Sequence, residues 1–176
     1  MTEITFKTLS LTDITLMHRW FNMPHVQKFY SLRHWNKQEV LKKLKPYISG
    51  EKPVSGFIIF LDERPIGYVQ SYRLIDFPWE DQDFPNDIVC HAAGMDLFIG
   101  NPDWIWKGLG FKIIHKFLDE KIWPKFRYCV VDPSIENKAA IRCYEKLGFI
   151  EHKIIHTKDA LGSPTTLKLM INLHDK

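Results

Sequence analysis

Residues 92–118, AAGMDLFIGNPDWIWKGLGFKIIHKFL, do most to limit what this chain can fold into. They read as a buried strand over 94–99, a short connector, a Lys107-Gly108-Leu109-Gly110 turn and an amphipathic helix that opens at about that turn. Strand, glycine turn and helix in immediate succession belong to an α/β layering of sheet and helix. The same succession makes a site ready for phosphate. Glycines let the backbone approach an anion, and the unpaired N–H groups of a helix's first turn, backed by its dipole, favour negative charge. Lys107 and Lys112 add positive charge beside them.

The turn is neither a P-loop, since GK[ST] is missing, nor a dinucleotide fingerprint, which needs a third glycine and an early βαβ unit. Asp96 sits inside the strand, just before the apolar run Leu97, Phe98, Ile99. A carboxylate there is costly unless it is used or paired.

A length of 176 residues predicts one domain, 1–176, large enough to bury a sizeable core. The net charge of +3 is dispersed with no run of one sign, so nucleic acid is not implied. Cys90, Cys129 and Cys143 are odd in number and lack metal or framework spacing, which predicts reduced thiols, no metal site and a cytoplasmic protein. The first residues lack the pattern of an export signal, and nowhere do about eighteen apolar residues run together, so no membrane partner is expected. The aromatic share, 14% with six Trp, either fills the core or lines a groove for a flat or sugar-like ligand.

In chain order, Ile4, Phe6 and Leu9 predict a first strand. Thr12 can cap a helix to about Asn22 that buries Ile14, Leu16, Met17, Trp20 and Phe21, with Pro24 as its stop. Residues 22–30 read as an aromatic loop, and Asn36 with Glu39 has capping-box spacing for a second helix ending near Ser49-Gly50. Strands over 57–61 and 66–72 form a hairpin about the polar turn 62–65. After the 92–118 stretch, with Ile113, Ile114, Phe117, Leu118 and Ile122 on one stripe, come a strand over 128–131, an Asp132-Pro133-Ser134 turn, and a helix over about 136–147 with Gly148 at its end. Two last strands, near 149–157 and 165–173, flank a loop at 159–164. The order predicts an α/β fold with a mixed sheet.

On the helix over 136–147, Asn137, Ile141 and Tyr144 recur at four and three residues and so share a face. Here the chain resembles the GCN5-related N-acetyltransferase (GNAT) family. The resemblance rests on Trp106-Lys107-Gly108-Leu109-Gly110, on Asp132-Pro133-Ser134-Ile135-Glu136-Asn137, and on Ala140-Ile141-Arg142-Cys143-Tyr144-Glu145-Lys146-Leu147-Gly148-Phe149. Within it, Gly67-Tyr68-Val69-Gln70-Ser71-Tyr72 and Gly94-Met95-Asp96 look most like the aminoglycoside 6'-N-acetyltransferases. One position departs from the pattern: Ile105 stands where the family usually has Gln or Arg, which leaves phosphate contacts to backbone amides and lysines.

What the resemblance implies is a mostly antiparallel mixed sheet flanked by helices, with two splayed parallel strands that bind acetyl-CoA. Pantetheine would pair with the edge at Leu97, Phe98 and Ile99, and pyrophosphate would sit on Lys107, Gly108, Leu109, Gly110, Phe111 and Lys112. Asn137 would contact the cofactor arm and Tyr144 would protonate the departing thiolate. The chemistry asks for the same set: an ammonium must lose a proton before it attacks a thioester, which suits Asp96 as base, and the new oxyanion needs backbone N–H donors.

The acceptor is read from residues 75–87, IDFPWEDQDFPND, which hold Asp76, Glu80, Asp81, Asp83 and Asp87 among Phe77, Trp79 and Phe84, with no Lys or Arg. Acid and aromatic surface suits a polycationic aminosugar. By resemblance, Tyr72, Asp76, Trp79 and Asp132 match acceptor positions, and Asp159 does so more loosely. The expectation is acetylation of a primary amine of an aminoglycoside-like small molecule, with antibiotic resistance as its consequence, by a monomer or weak homodimer. The alternatives are another amine (siderophore precursor, polyamine or protein amine) and a CoA-binding module without catalysis.

Overall fold

The computed structural model describes residues 2–174, Glu80 by its backbone alone; Met1, Asp175 and Lys176, the ends of the expected 1–176 domain, lie outside the described residues. Among the described residues seven strands form one sheet in the order β1-β2-β3-β4-β5-β7-β6: β1 Ile4–Thr8, β2 Val54–Leu61, β3 Arg64–Arg73, β4 Ala92–Ile99, β5 Tyr128–Val131, β6 Ile150–Lys158 and β7 Pro164–Leu173. The helices are α1 Ile14–Phe21, α2 Pro24–Val26, α3 Lys37–Ile48, α4 Asn86–His91, α5 Leu109–Phe117 and α6 Lys138–Lys146. β1 runs antiparallel to β2, and β7 runs antiparallel to both β5 and β6. β4 and β5 are parallel, paired over Ala92↔Tyr128 to Gly94↔Val130. β4 then continues to Ile99, so Asp96 and the residues after it lie past the end of that ladder.

The contacts gather into two compact units, residues 2–71 with 96–109 and residues 72–95 with 110–174, and β3 and β4 each run through both. The first unit is built around aromatic rings. Phe98 meets Trp20, Phe21, Tyr30 and Tyr68 at centroid distances of 6.2, 6.1, 4.6 and 5.8 Å. Met17, Val40, Leu44 and Ile58 belong to the same cluster. Close strand packing accompanies it: a side chain at Gly67 would strike the carbonyl oxygen of Phe98. In the second unit Leu74, Ala92, Val130, Ile155 and Leu169 form a core cluster, and Ile113, Ile114, Phe117, Leu118 and Ile122 are all buried as their spacing predicts.

Three local expectations change. Residues 22–30 are helical rather than loop: α1 ends at Phe21, Pro24 opens α2 at its first position, where its missing N–H costs nothing, and a π-helical turn Gln27–Ser31 follows. Thr12 is not the cap of α1; a 3-10 turn Leu11–Asp13 precedes it, and Asp13 Oδ2 accepts from the Ser10 N–H at 2.8 Å. Asn137 lies outside the body of α6 as its N-cap, its Oδ1 accepting from the Ala140 N–H at 3.3 Å. The box at α3 is as expected: Asn36 Oδ1 accepts from Glu39 N–H at 2.9 Å and Glu39 Oε2 from Asn36 N–H at 2.8 Å.

Candidate active site

In the first unit the site begins with strand alternation. Residues two apart on a strand share a face, so Tyr68 and Gln70 of β3 point the same way. The Tyr68 hydroxyl donates to Gln70 Oε1 at 3.0 Å, and Gln70 Nε2 donates to Asp96 Oδ2 at 3.0 Å. Tyr68 is fully buried and Gln70 is half-buried. Asp96 keeps some accessible surface, yet its carboxyl is enclosed by protein, and that burial raises its pKa above the usual carboxylate value; the Gln70 hydrogen bond and then the charge of Lys43 pull the other way. Lys43, on α3, answers in kind: burial lowers its pKa and Asp96 opposes that fall. Tyr47, one helical turn on, is raised by burial and then by Asp96.

Gln70, Tyr68 and Lys43 surround Asp96 without having been singled out as site residues by the sequence. Alternation along GYVQSY carried the signal for the first two. Lys43 gave none, because it stands among lysines on a helix whose buried residues are Val40 and Leu44.

The strand expected to hold pantetheine lies past the end of the parallel ladder. Phe98's side chain is core, while Leu97 and Ile99 are half-buried. His25 of α2 donates from Nε2 to the Ile99 carbonyl at 2.9 Å, which steadies the strand end. Beyond it, Gly108 has φ 71°, and a side chain there would meet nothing within 4 Å. Its positive φ explains the glycine and its open surroundings fit the approach of a ligand phosphate. Lys107 beside it is exposed and Leu109 is buried.

In the second unit Gly110, Phe111 and Lys112 continue the first turn of α5. Gly110 is not a strained position; a side chain there would meet only Cys143 Sγ, at 3.6 Å. Phe111 and Lys112 are exposed. Tyr144 is a buried ring, 6% exposed and tilted on Phe149 at a centroid distance of 5.3 Å. Asp132 is half-buried after β5.

Residues 75–87 are more ordered than a solvated loop. The 3-10 turns Leu74–Asp76 and Glu80–Gln82 lead into α4, and Trp79 and Phe84 pack against the second unit's core. Phe84 stacks on His152 at 4.3 Å between centroids, and Tyr72 meets Phe77 edge-on at 5.0 Å with its ring over Gly94, where any side chain would collide. Asp76 already faces a cation, Arg73, at 3.8 Å. Asp159 lies in the β6–β7 turn, its Oδ1 accepting from the N–H groups of Leu161 and Ser163 at 2.8 and 3.0 Å. Part of its carboxylate is therefore used by the turn itself.

Cys90, Cys129 and Cys143 are not joined in disulfide bonds. Among the described residues there is no group of three or more His, Cys, Asp or Glu placed to hold a metal ion, and no helix long and apolar enough to cross a membrane.

A family model described as an acetyltransferase (GNAT) domain matches residues 10–157. A Klebsiella pneumoniae protein named aminoglycoside N(6')-acetyltransferase type 1 is 29% identical over 169 residues, covering 89% of this chain and 79% of that one. The solved structure of AAC(6')-Ib in complex with paromomycin and acetyl-CoA superposes with a TM-score of 0.81 at 25% identity, covering 98% of this chain and 94% of the other. A spermidine N-acetyltransferase from Vibrio cholerae, at 17% identity and a TM-score of 0.77 over 97% of this chain and 95% of that one, shares the fold.

Proposed function

The chain belongs to the GNAT acetyltransferase family, and from that premise we propose that it moves the acetyl group of acetyl-CoA directly onto a primary amine of an aminoglycoside-like polycationic aminosugar, at the 6'-amino position. The observation that carries the chemistry is Asp96: a desolvated carboxylate, raised in pKa and held by Gln70, is what a proton acceptor for an ammonium requires. Asp96 takes the proton from the acceptor nitrogen, the neutral amine attacks the thioester carbonyl carbon, and the carbon–sulfur bond breaks. Tyr144 gives its proton to the departing thiolate, the second proton shed by the acylated nitrogen restores the phenol by way of solvent, and Asp96 releases its own proton to solvent, so the products are an amide and a thiol. Backbone N–H groups at Leu97, Phe98 and Ile99 serve the carbonyl oxygen and pantetheine, and Lys107, Gly108, Leu109, Gly110, Phe111, Lys112 and Asn137 serve the rest of the cofactor.

The acceptor's positive charges would be met by Asp76, Asp132 and Asp159, and its rings by Tyr72 and Trp79. One domain, working in the cytoplasm as a monomer or weak homodimer, is sufficient for this reaction. Lys43 favours a second reading. Its ammonium acts on Asp96, so it repels a nearby cation and would suit a less highly charged amine, such as a siderophore precursor. A thiol-release assay with acetyl-CoA against a panel of amines tests both: aminoglycosides preferred over monoamines and spermidine support the first reading, and the reverse order replaces it with the second.

A further inference from the structure

Asp96 is supported by a chain of groups that runs back into the core of the first unit, and that chain has a direction. A carboxylate only accepts, so Gln70 must present its N–H₂ end to Asp96 Oδ2, at 3.0 Å. An amide that turned over would put its oxygen against the carboxylate, two acceptors face to face. What decides between the two orientations is the group at the other end of the amide. The Tyr68 hydroxyl lies 3.0 Å from Gln70 Oε1. Tyr68 is fully buried, and burial, followed by Tyr47 and Asp96, pushes its pKa far up, so the phenol keeps its proton and has it to donate. A phenol that donates needs an oxygen opposite, which is the orientation that turns N–H₂ toward Asp96. The room for this hydroxyl is built in: a side chain at Gly56 would collide with the Tyr68 oxygen, so glycine on β2 leaves the niche it occupies.

We propose that Tyr68 and Gln70 form a one-way positioning relay for Asp96, in which the Tyr68 hydroxyl fixes the Gln70 amide and the amide fixes Asp96 Oδ2, leaving Oδ1 outside the relay to face the acceptor ammonium. Gly56 belongs to the same device as the niche for the hydroxyl. The relay acts on rate in two ways: it holds one carboxylate rotamer, and it stabilises the ionised form that a base needs. The other groups that bear on Asp96 are Lys43, whose charge also favours the carboxylate, and Tyr47, both on α3. This inference rests on the reading of Asp96 as the base.

The test compares pH–rate profiles of the whole enzyme with acetyl-CoA and one fixed amine. Tyr68→Phe keeps the ring and removes only the donor. It should lower turnover about tenfold at the acidic end of the profile, where a charge-assisted hydrogen bond contributes most, and leave the Michaelis constant for acetyl-CoA unchanged. The sign follows from the base: without the relay the carboxylate's pKa rises, so activity is lost at a higher pH. Gln70→Leu should shift the acidic limb the same way, and the double variant should add nothing beyond Gln70→Leu, because both act through one contact. Gly56→Ala, which displaces the hydroxyl from the other side, supplies an independent arm should Tyr68→Phe fold poorly. An unmoved acidic limb in Tyr68→Phe and Gly56→Ala, or additive losses in the double variant, overturns the relay while Asp96→Asn remains inactive and the base reading stands. Wild-type turnover in Asp96→Asn removes the base and the relay together.

Discussion

Asp96 and the carboxylates of residues 75–87 are the same functional group in opposite surroundings. Asp96 is enclosed, shifted and held by a relay that begins at a buried phenol. Asp76, Asp81, Asp83 and Asp87 are exposed, and two of them already face basic side chains of their own chain, Arg73 and His91. The difference separates chemistry from attraction. A proton acceptor needs a fixed geometry and a pKa moved toward working pH, which only a low-dielectric pocket gives. A loop that gathers a multiply charged ligand needs charge density and little else, and water and salt weaken each of its contacts.

The sharpest way to break this contrast is Asp96→Asn. In the general-base role proposed for it, Asp96 should account for roughly 10²–10⁴-fold of turnover, so the variant should be the most impaired of the set for every amine. The same variant should be more thermostable near neutral pH. Between the ordinary carboxylate pKa and the raised value of Asp96, the native protein holds a proton that the unfolded chain has released, so stability falls as pH rises through that window. Asn carries no such cost. Thermal melts of both proteins across pH 4–8 check this: parallel curves that never separate would mean that Asp96 is not desolvated in the way its surroundings indicate.

Tyr144→Phe should come next, lowering turnover by roughly 10²-fold with little change in acetyl-CoA affinity, as loss of a proton donor to the thiolate requires. Wild-type turnover would return Tyr144, already a buried ring against Phe149, to a purely structural role. Smaller again is the effect on the glycine turn. Gly108, with φ 71° and open space around it, is the position where a side chain is both strained and in the way of phosphate. Gly108→Val should weaken acetyl-CoA binding about tenfold, near 1.4 kcal/mol, by calorimetry. Gly110→Ala, which would meet only Cys143 Sγ at ordinary contact distance, should cost much less. Equal effects at the two glycines would take the turn's phosphate role away from Gly108.

The two kinds of carboxylate were not equally legible in the sequence. Residues 75–87 announce themselves by composition, whereas Asp96 is one acid in an apolar strand, and its importance came from what surrounded it in sequence and from the family pattern. The fold was read well where local rules decide it. The Asn36–Glu39 box, the β5 strand at Tyr128–Val131 and the buried stripe of α5 all depend on neighbours along the chain. Contacts across sequence were the part that local rules miss. β7 slips between β5 and β6, residues 22–30 turn helical with Val26, Met23 and Tyr30 packed in the cluster around Phe98, and Tyr68 connects to Asp96 through Gln70, 26 residues before it in the chain. Asn137 shows the limit of periodicity: its spacing to Ile141 and Tyr144 is helical, yet an amide at a helix start satisfies the first-turn N–H groups better than it packs.

The finest test concerns Asp76, where the contrast predicts a small effect of a particular shape. Its carboxylate is at the surface and 3.8 Å from Arg73, so a substrate ammonium must share it with a resident cation and with water. Exposed pairs of this kind are worth about 0.2–1 kcal/mol, which is at most about fivefold in a binding constant. Asp76→Asn should therefore raise the Michaelis constant of a tri- or tetra-amino sugar a few-fold, leave that of a monoamine nearly unchanged, and leave turnover alone. Because the contribution is Coulombic and exposed, the difference between the two substrates should shrink as salt shortens the Debye length from about 10 Å at 0.1 M to about 3 Å at 1 M. A loss in turnover instead, or a salt-independent loss in affinity, would place Asp76 in the chemistry alongside Asp96 and erase the division between the two regions. No preference for multiply charged sugars at any salt concentration would leave acetyl transfer intact and turn the acceptor reading toward the less charged amine that Lys43 favours.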